Sequence, residues 1–210
     1  MKKYCVFDLD GTLIDSMGEW AQTMIDILDE ENISYPDDII ATITPLGNAK
    51  TAELFIEMGV DSDKDALIER MGRYAIKAYS ERIVTKPYIP ELLKKLKSEG
   101  HILAVLTASP HITTDVCLKK NGVYDLFDKV WSVNDFGLTK SQPEIYVEAA
   151  KRLGADISEI TFFDDNLTAL TTAKKAGLEC VAVYDKSSEN DTEKIKNIAD
   201  RYIVSAKELL

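Results

Sequence analysis

The 210-residue chain has no apolar run near the roughly 18 residues a membrane-crossing helix requires. It has no basic excess either. The formal net charge is −11, so the positive footprint of a nucleic-acid or anionic-membrane binder is missing, and neither partner is expected. Cysteine is scarce: Cys5, Cys117 and Cys180 are widely spaced, odd in number and in no metal-binding pattern. They read as buried or half-buried thiols of a reducing compartment. Met1-Lys2-Lys3-Tyr4 leads into an apolar stretch without signal-peptide anatomy, so a cytoplasmic location is the expectation. Repeats and low-complexity segments are absent too. What remains, 45% hydrophobic and 29% charged, is ordinary for a soluble globular chain. The length suits one domain, or a core with a modest insertion.

The most informative stretch is Val6-Phe7-Asp8-Leu9-Asp10-Gly11-Thr12-Leu13. Tyr4 to Phe7 reads as a buried strand that delivers two aspartates and breaks at Gly11. Residues i and i+2 of a strand share a face, so Asp8 and Asp10 can enter one crevice. Crowded carboxylates repel unless a cation or shared proton relieves them, and Mg²⁺ with its preference for oxygen is the natural candidate. The plain alternative is a hairpin turn at Asp10-Gly11. An apolar strand before it and helical periodicity from about residue 16 after it argue against that reading.

From Ser16, a candidate N-cap, to Glu31 the spacing of Trp20, Met24, Ile27 and Leu28 predicts a helix. Breaks follow at Asn32 to Pro36 and at Pro45-Leu46-Gly47-Asn48. Two more helices are expected over about Ala49–Met58 and Asp63–Arg82. Residues 15–84 therefore read as an all-helical insertion, or cap, of about 70 residues, with 15 acidic and 6 basic side chains. After it, strands are expected at His101–Thr107, Lys129–Val133, Ile160–Phe163, Glu179–Tyr184 and, briefly, Tyr202–Val204, with helices between. Such alternation requires right-handed crossovers and a parallel sheet covered on both faces. The expected fold is α/β: residues 1–14 and 85–210 form one doubly wound core, interrupted by the helical cap.

In a parallel sheet the strand ends lie along one edge, where ligands bind. That edge collects Asp8 and Asp10, then Thr107-Ala108-Ser109, then the loop carrying Lys140, then Asp164-Asp165-Asn166. Singly, each has an ordinary structural explanation as a turn, a cap or a solvated lysine. Together they supply the parts of a phosphoryl-transfer site. Asp8 is the candidate nucleophile and Asp10 the candidate acid and base. Thr107 and neighbouring backbone amides, Ala108 included, would hold phosphoryl oxygens, and Lys140 would face the accumulating negative charge. Asp165, with Asp164 beside it or in the shell, would anchor Mg²⁺.

These residues resemble the four motifs of the haloacid dehalogenase-like superfamily, in the branch with a helical cap inserted after the first strand. Asp8-Leu9-Asp10-Gly11-Thr12 matches motif I, Thr107 motif II, Lys140 motif III and Asp164-Asp165 motif IV. The resemblance spans nearly the whole chain and implies a Rossmann-like core. It also implies Mg²⁺ held by the Asp8 carboxylate, the Asp10 backbone carbonyl and Asp165. Lys140-Ser141-Gln142-Pro143 departs from the Lys-Pro-x-Pro common in relatives, and Ala108 replaces a small polar residue; neither removes a catalytic group. Gly47-Asn48-Ala49-Lys50 is similar to a cap loop that reaches substrate in relatives, which makes Lys50 a candidate anion contact. Glu19 and Trp20, just past the hinge, are weaker candidates for the cleft.

The reading is a Mg²⁺-dependent phosphatase acting on a small phosphorylated metabolite through an aspartyl-phosphate. An acidic lid disfavours polyanionic substrates. A phosphomutase of the β-phosphoglucomutase type shares every catalytic residue and stands second. A dehalogenase would use Asp8, but relatives with that chemistry lack the second acid. A receiver-type signalling domain carries similar groups, but its phospho-accepting Asp follows a later strand and no helical insertion interrupts it. A scaffold with a dead site is weakest, because no catalytic component is missing.

Overall fold

The computed structural model describes residues 1–43 and 46–210, apart from the side chain of Trp20. Tyr4–Phe7 forms the wholly buried strand β1. The chain then divides into two compact units, residues 1–15 with 84–210 and residues 16–83. Among the described residues, no helix is long and apolar enough to cross a membrane.

The unit of residues 16–83 is helical: α1 (Met17–Glu30), α2 (Ile39–Ile43), α3 (Gly47–Glu57) and α4 (Lys64–Glu81). Helical spacing puts Met24, Ile27 and Leu28 of α1 on one stripe, where they close a core with Phe55 of α3 and Leu67 and Met71 of α4. Asp63 caps α4, its carboxylate accepting from the Ala66 amide at 2.9 Å. Three features differ from the sequence reading. Ser16 does not cap α1; its backbone is already helical and no side-chain cap bond forms. The five-residue α2 is too short to impose a periodicity and was not anticipated. Helix α3 begins at Gly47, so Gly47 to Lys50 is its first turn rather than a free loop. Pro45, read as part of a break, lies outside the described residues.

In the larger unit, α5 (Ile89–Ser98), β2 (Ile102–Thr107), α6 (His111–Lys120), β3 (Lys129–Ser132), α7 (Pro143–Leu153), β4 (Ile160–Asp164), α8 (Leu167–Ala176), β5 (Glu179–Val183), α9 (Thr192–Ile198) and β6 (Arg201–Ile203) follow in order. The strands form one six-stranded parallel sheet in the order β3-β2-β1-β4-β5-β6. This is a Rossmann-like doubly wound sheet. Alternate residues face opposite sides: Tyr4, Val6, Leu106, Phe162 and Ala182 meet Ile145, Tyr146 and Leu170 of α7 and α8 in one apolar cluster. Between β1 and β4 the strand order reverses direction, which opens the crevice where such sheets bind ligands. All three cysteines are buried, and none is in a disulfide.

One buried contact ties this packing to the loop that carries Lys140. The Tyr146 hydroxyl lies 2.9 Å from the Lys140 carbonyl and 3.1 Å from the Ala169 carbonyl, its single proton serving both. Tyr146→Phe removes that donor from two carbonyls while leaving the ring contact with Phe162 intact. It should cost about 1–2 kcal/mol, read as a lowered urea midpoint with an unchanged slope.

Candidate active site

The β1 strand continues its ladder one residue beyond Phe7, since the Asp8 amide donates to the Phe163 carbonyl at 2.8 Å. The chain then wraps on itself: the amides of Thr12, Leu13 and Ile14 all reach the Leu9 carbonyl, at 3.3, 2.9 and 3.0 Å. This turn is no hairpin, because both neighbours of β1 are parallel strands. It holds Asp8 at the crevice and lets Asp10 look sideways, where the Asp10 carboxylate accepts from the Ser109 hydroxyl at 2.6 Å.

Gly11 makes the turn possible. Its φ of +78° lies in the left-handed region, and a Cβ built there would meet the Asp165 carboxylate at 2.8 Å. Asp165 itself is clamped by two hydroxyls, Thr12 on Oδ1 at 3.0 Å and Ser188 on Oδ2 at 3.2 Å. Beside it, Asp164 is entirely buried, with Oδ1 accepting from the Asn166 amide at 2.7 Å. Asn166 caps α8 by taking the Thr168 and Ala169 amides.

Oxygens of Asp8, Asp164 and Asp165 lie within 4.8 Å of one another, all on buried residues. The Lys140 ammonium stands between two of them, 2.6 Å from Asp8 and 2.8 Å from Asp164. Burial pushes the Asp8 carboxyl well above the ordinary range; Lys140 opposes the shift, while Asp164, Asp165 and Asp10 add to it. Burial, then Asp164 and Asp185, raise Asp165 to about 7, against the pull of the Thr12 hydroxyl. Burial also works against the charge on Lys140, but Asp164 and Asp8 outweigh it and hold that ammonium above its usual range. Three carboxylates facing one ammonium leave the ionised pocket short of positive charge. Hard oxygen donors this close together suit a divalent cation such as Mg²⁺.

Of the other candidate residues, Thr107 ends β2, buried, its hydroxyl accepting from the Ser109 amide at 3.0 Å, with Ala108 exposed between them. Asp10 offers no carboxylate to the acidic trio, and its partner Ser109 was not singled out in the sequence. Lys50 is exposed on the first turn of α3 in the helical unit. Glu19 pairs with Arg82 inside that same unit, and the Trp20 side chain lies outside the described residues. Sequence reading also passed over Thr12, Ser188 and His111. Thr12 stands in the conspicuous motif and was legible as a hydroxyl beside the acids. Ser188, in the polar stretch after β5, carries no local signal.

His111 joins two of the loops. It follows Thr107-Ala108-Ser109-Pro110, and its Nε2 lies 2.8 Å from Asp135 Oδ2, in the turn that leads toward Lys140. Nδ1 lies 3.2 Å from Asp115.

A six-stranded Rossmann-like sheet with an acidic, oxygen-rich site at its switch point defines an α/β enzyme. The chain belongs to the haloacid dehalogenase-like hydrolase family, whose model matches residues 5–183. Validoxylamine A 7′-phosphate phosphatase of Streptomyces hygroscopicus subsp. limoneus is 26% identical over 183 residues, covering 87% of this chain and 86% of that protein. Hexitol phosphatase B of Escherichia coli (strain K12) is 25% identical over 216 residues, covering 97% and 92%. Among solved structures, CbbY of Rhodobacter sphaeroides in complex with phosphate superposes with a TM-score of 0.79 at 20% identity, covering 100% of this chain and 96% of that one.

Two outcomes follow from this geometry. Gly11→Ala should lose about 1–3 kcal/mol from the strained φ, seen as a lower melting temperature. The His111 pKa is raised, first by the Asp135 hydrogen bond, against burial, and then by Asp115. Its imidazolium therefore stabilises the fold fully below the unfolded value of about 6.5, and that contribution fades as pH rises through the raised value. His111→Gln should melt lower than wild type at about pH 5.5 and match it at about pH 9.

Proposed function

We propose that this chain is a phosphatase of small phosphorylated metabolites that works through an aspartyl-phosphate on Asp8 and depends on Mg²⁺. The observation that carries this reading is the buried trio Asp8, Asp164 and Asp165 with Lys140 between two of its members. Asp8, Asp165 and the Asp10 backbone carbonyl would hold the metal, with Asp164 beside them. When bound, Mg²⁺ neutralises the phosphate and the attacking carboxylate together.

The chain's own residues do the rest. An Asp8 carboxylate oxygen attacks phosphorus, forming an O–P bond as the ester P–O bond breaks. Asp10 gives its proton to the leaving oxygen, then takes one from the water that cleaves the aspartyl-phosphate, which releases phosphate and restores Asp8. The Ser109 hydroxyl holds Asp10 at 2.6 Å. Thr107 and the Ala108 amide would receive phosphoryl oxygens, and Lys140 would balance the charge that builds on them. Lys50 is the candidate contact from the helical unit, which would serve as a cap. The two phosphatases named above act, by their names, on validoxylamine A 7′-phosphate and on hexitol phosphates, which supports a small polyhydroxylated phosphate ester as the substrate class.

The same residues would serve a phosphomutase, and solution chemistry separates the two. Phosphate release from a panel of sugar and polyol phosphates should require Mg²⁺ and cease with EDTA. Asp8→Asn should lower it by about three orders of magnitude or more, and Asp10→Asn by about 10²–10⁴. Release that appears only as a side reaction, with isomerisation dependent on catalytic sugar bisphosphate, would instead make the chain a mutase. A folded, Mg²⁺-binding protein that does neither would end both readings.

A further inference from the structure

The Asp165 carboxylate is the only member of the trio held by hydroxyl groups on both of its oxygens among the described residues. One of those hydroxyls, Ser188, has an unusual support. It lies in a short 3₁₀ turn, Lys186–Asp191, just beyond the end of β5. Asp185 opens that turn: its Oδ1 accepts from the Ser187 amide at 2.9 Å and from the Ser187 hydroxyl at 2.6 Å. Its other oxygen, Oδ2, faces the Lys86 ammonium at 2.8 Å. Lys86 also donates to the Tyr184 carbonyl at 2.7 Å, so it fixes both the strand end and the first residue of the turn.

This pair is shielded. The Asp185 side chain is 6% exposed and that of Lys86 is 16%. An ion pair so desolvated is weak evidence for stability, yet losing one partner strands the other in a poor solvent. The position of Lys86 in the chain is equally telling. It belongs to the ribbon returning from the helical unit, where Lys86 donates its amide to the Leu13 carbonyl at 2.9 Å and Asp15 donates to Val84 at 3.0 Å. The ribbon, the end of β5 and Asp165 are thus joined by the Lys86–Asp185 pair, by the turn in which the Ser188 amide donates to the Asp185 carbonyl at 3.2 Å, and by the Ser188 hydroxyl.

We propose that Lys86, Asp185 and Ser188 are positioning residues for Asp165, fixing the orientation in which its carboxylate meets the divalent cation. The inference rests on the magnesium reading above but not on the identity of any substrate. The Thr12 and Ser188 hydroxyls occupy one site on each carboxylate oxygen and hold its plane, and the buried ion pair keeps the Ser188 turn in place. Outer-shell donors of this kind typically alter metal affinity by about 10–100-fold when removed.

The test is Mg²⁺ binding to the full chain, followed by titration calorimetry, for wild type, Ser188→Ala, Ser188→Thr and Lys86→Met. Ser188→Ala should raise the Kd about tenfold, and Ser188→Thr, which keeps the hydroxyl, should restore it to within about threefold. Lys86→Met should weaken binding in the same direction although it touches no carboxylate of the trio. Wild-type Kd values in both Ser188→Ala and Lys86→Met overturn the proposal, as does a wild type that binds no Mg²⁺. Weakening in Ser188→Ala alone overturns the part assigned to Lys86 and Asp185. If wild type binds Mg²⁺ but releases no phosphate from any ester, the phosphatase reading falls while these affinities still decide the positioning role.

Discussion

Everything at the mouth of this sheet depends on keeping three carboxylates together in a place with little water. Asp8, Asp164 and Asp165 are buried, and among the described residues it is the Lys140 ammonium that pairs with Asp8 and Asp164 to relieve their mutual repulsion. Burial raises both Asp8 and Asp165 above the usual carboxylate range. A pocket in that condition is short of positive charge by construction. It gains the most from whatever supplies that charge, and a divalent cation does so most directly.

The fold meets this demand with position rather than with many polar contacts. Strands β1 and β4 are hydrogen-bonded neighbours, so the residues leaving their ends emerge side by side although more than 150 positions separate them in sequence. Below that edge the sheet is apolar, with Val6, Phe162 and Leu106 packed beneath α7 and α8. The dry core beneath Asp8 and Asp165 is what raises their pKa values, and it also leaves the acids little freedom to drift apart. The remaining orientation comes from short, directional contacts: Ser109 on Asp10, Thr12 and Ser188 on Asp165, the Asn166 amide on Asp164.

Most of this architecture was legible in the sequence because it repeats a simple period. Apolar strands followed by helical stripes require a parallel sheet, and the polar residue after each strand must then lie on its ligand edge. Asp8, Thr107 and Asp164-Asp165 stand where that rule puts them, whereas Lys140 lies eight residues past β3 and was singled out in its loop with the help of the resemblance to a known family. What escaped the reading has a common cause. Ser188 and the Lys86–Asp185 pair act across 23 and 99 positions respectively, and no local pattern marks a hydroxyl or an ion pair formed only in three dimensions. Gly11 stood in the motif, yet its reason became clear only when Asp165 was placed 2.8 Å from where a Cβ would be. Helix α2 escaped for a different reason, since five residues hold too little periodicity to declare a face.

The arrangement also explains why the acids sit at the edge of the sheet. Carboxylates forced together are a standing source of instability, and a flexible support would simply let them separate. Here each acid is fixed by backbone that the sheet already determines. Asp8 is locked by its amide bond to Phe163, Asp164 is itself the last residue of β4, and Asp165 follows it directly. Strand pairing and apolar packing therefore oppose the repulsion among the acids, and the Thr12 and Ser188 hydroxyls add the orientation of Asp165.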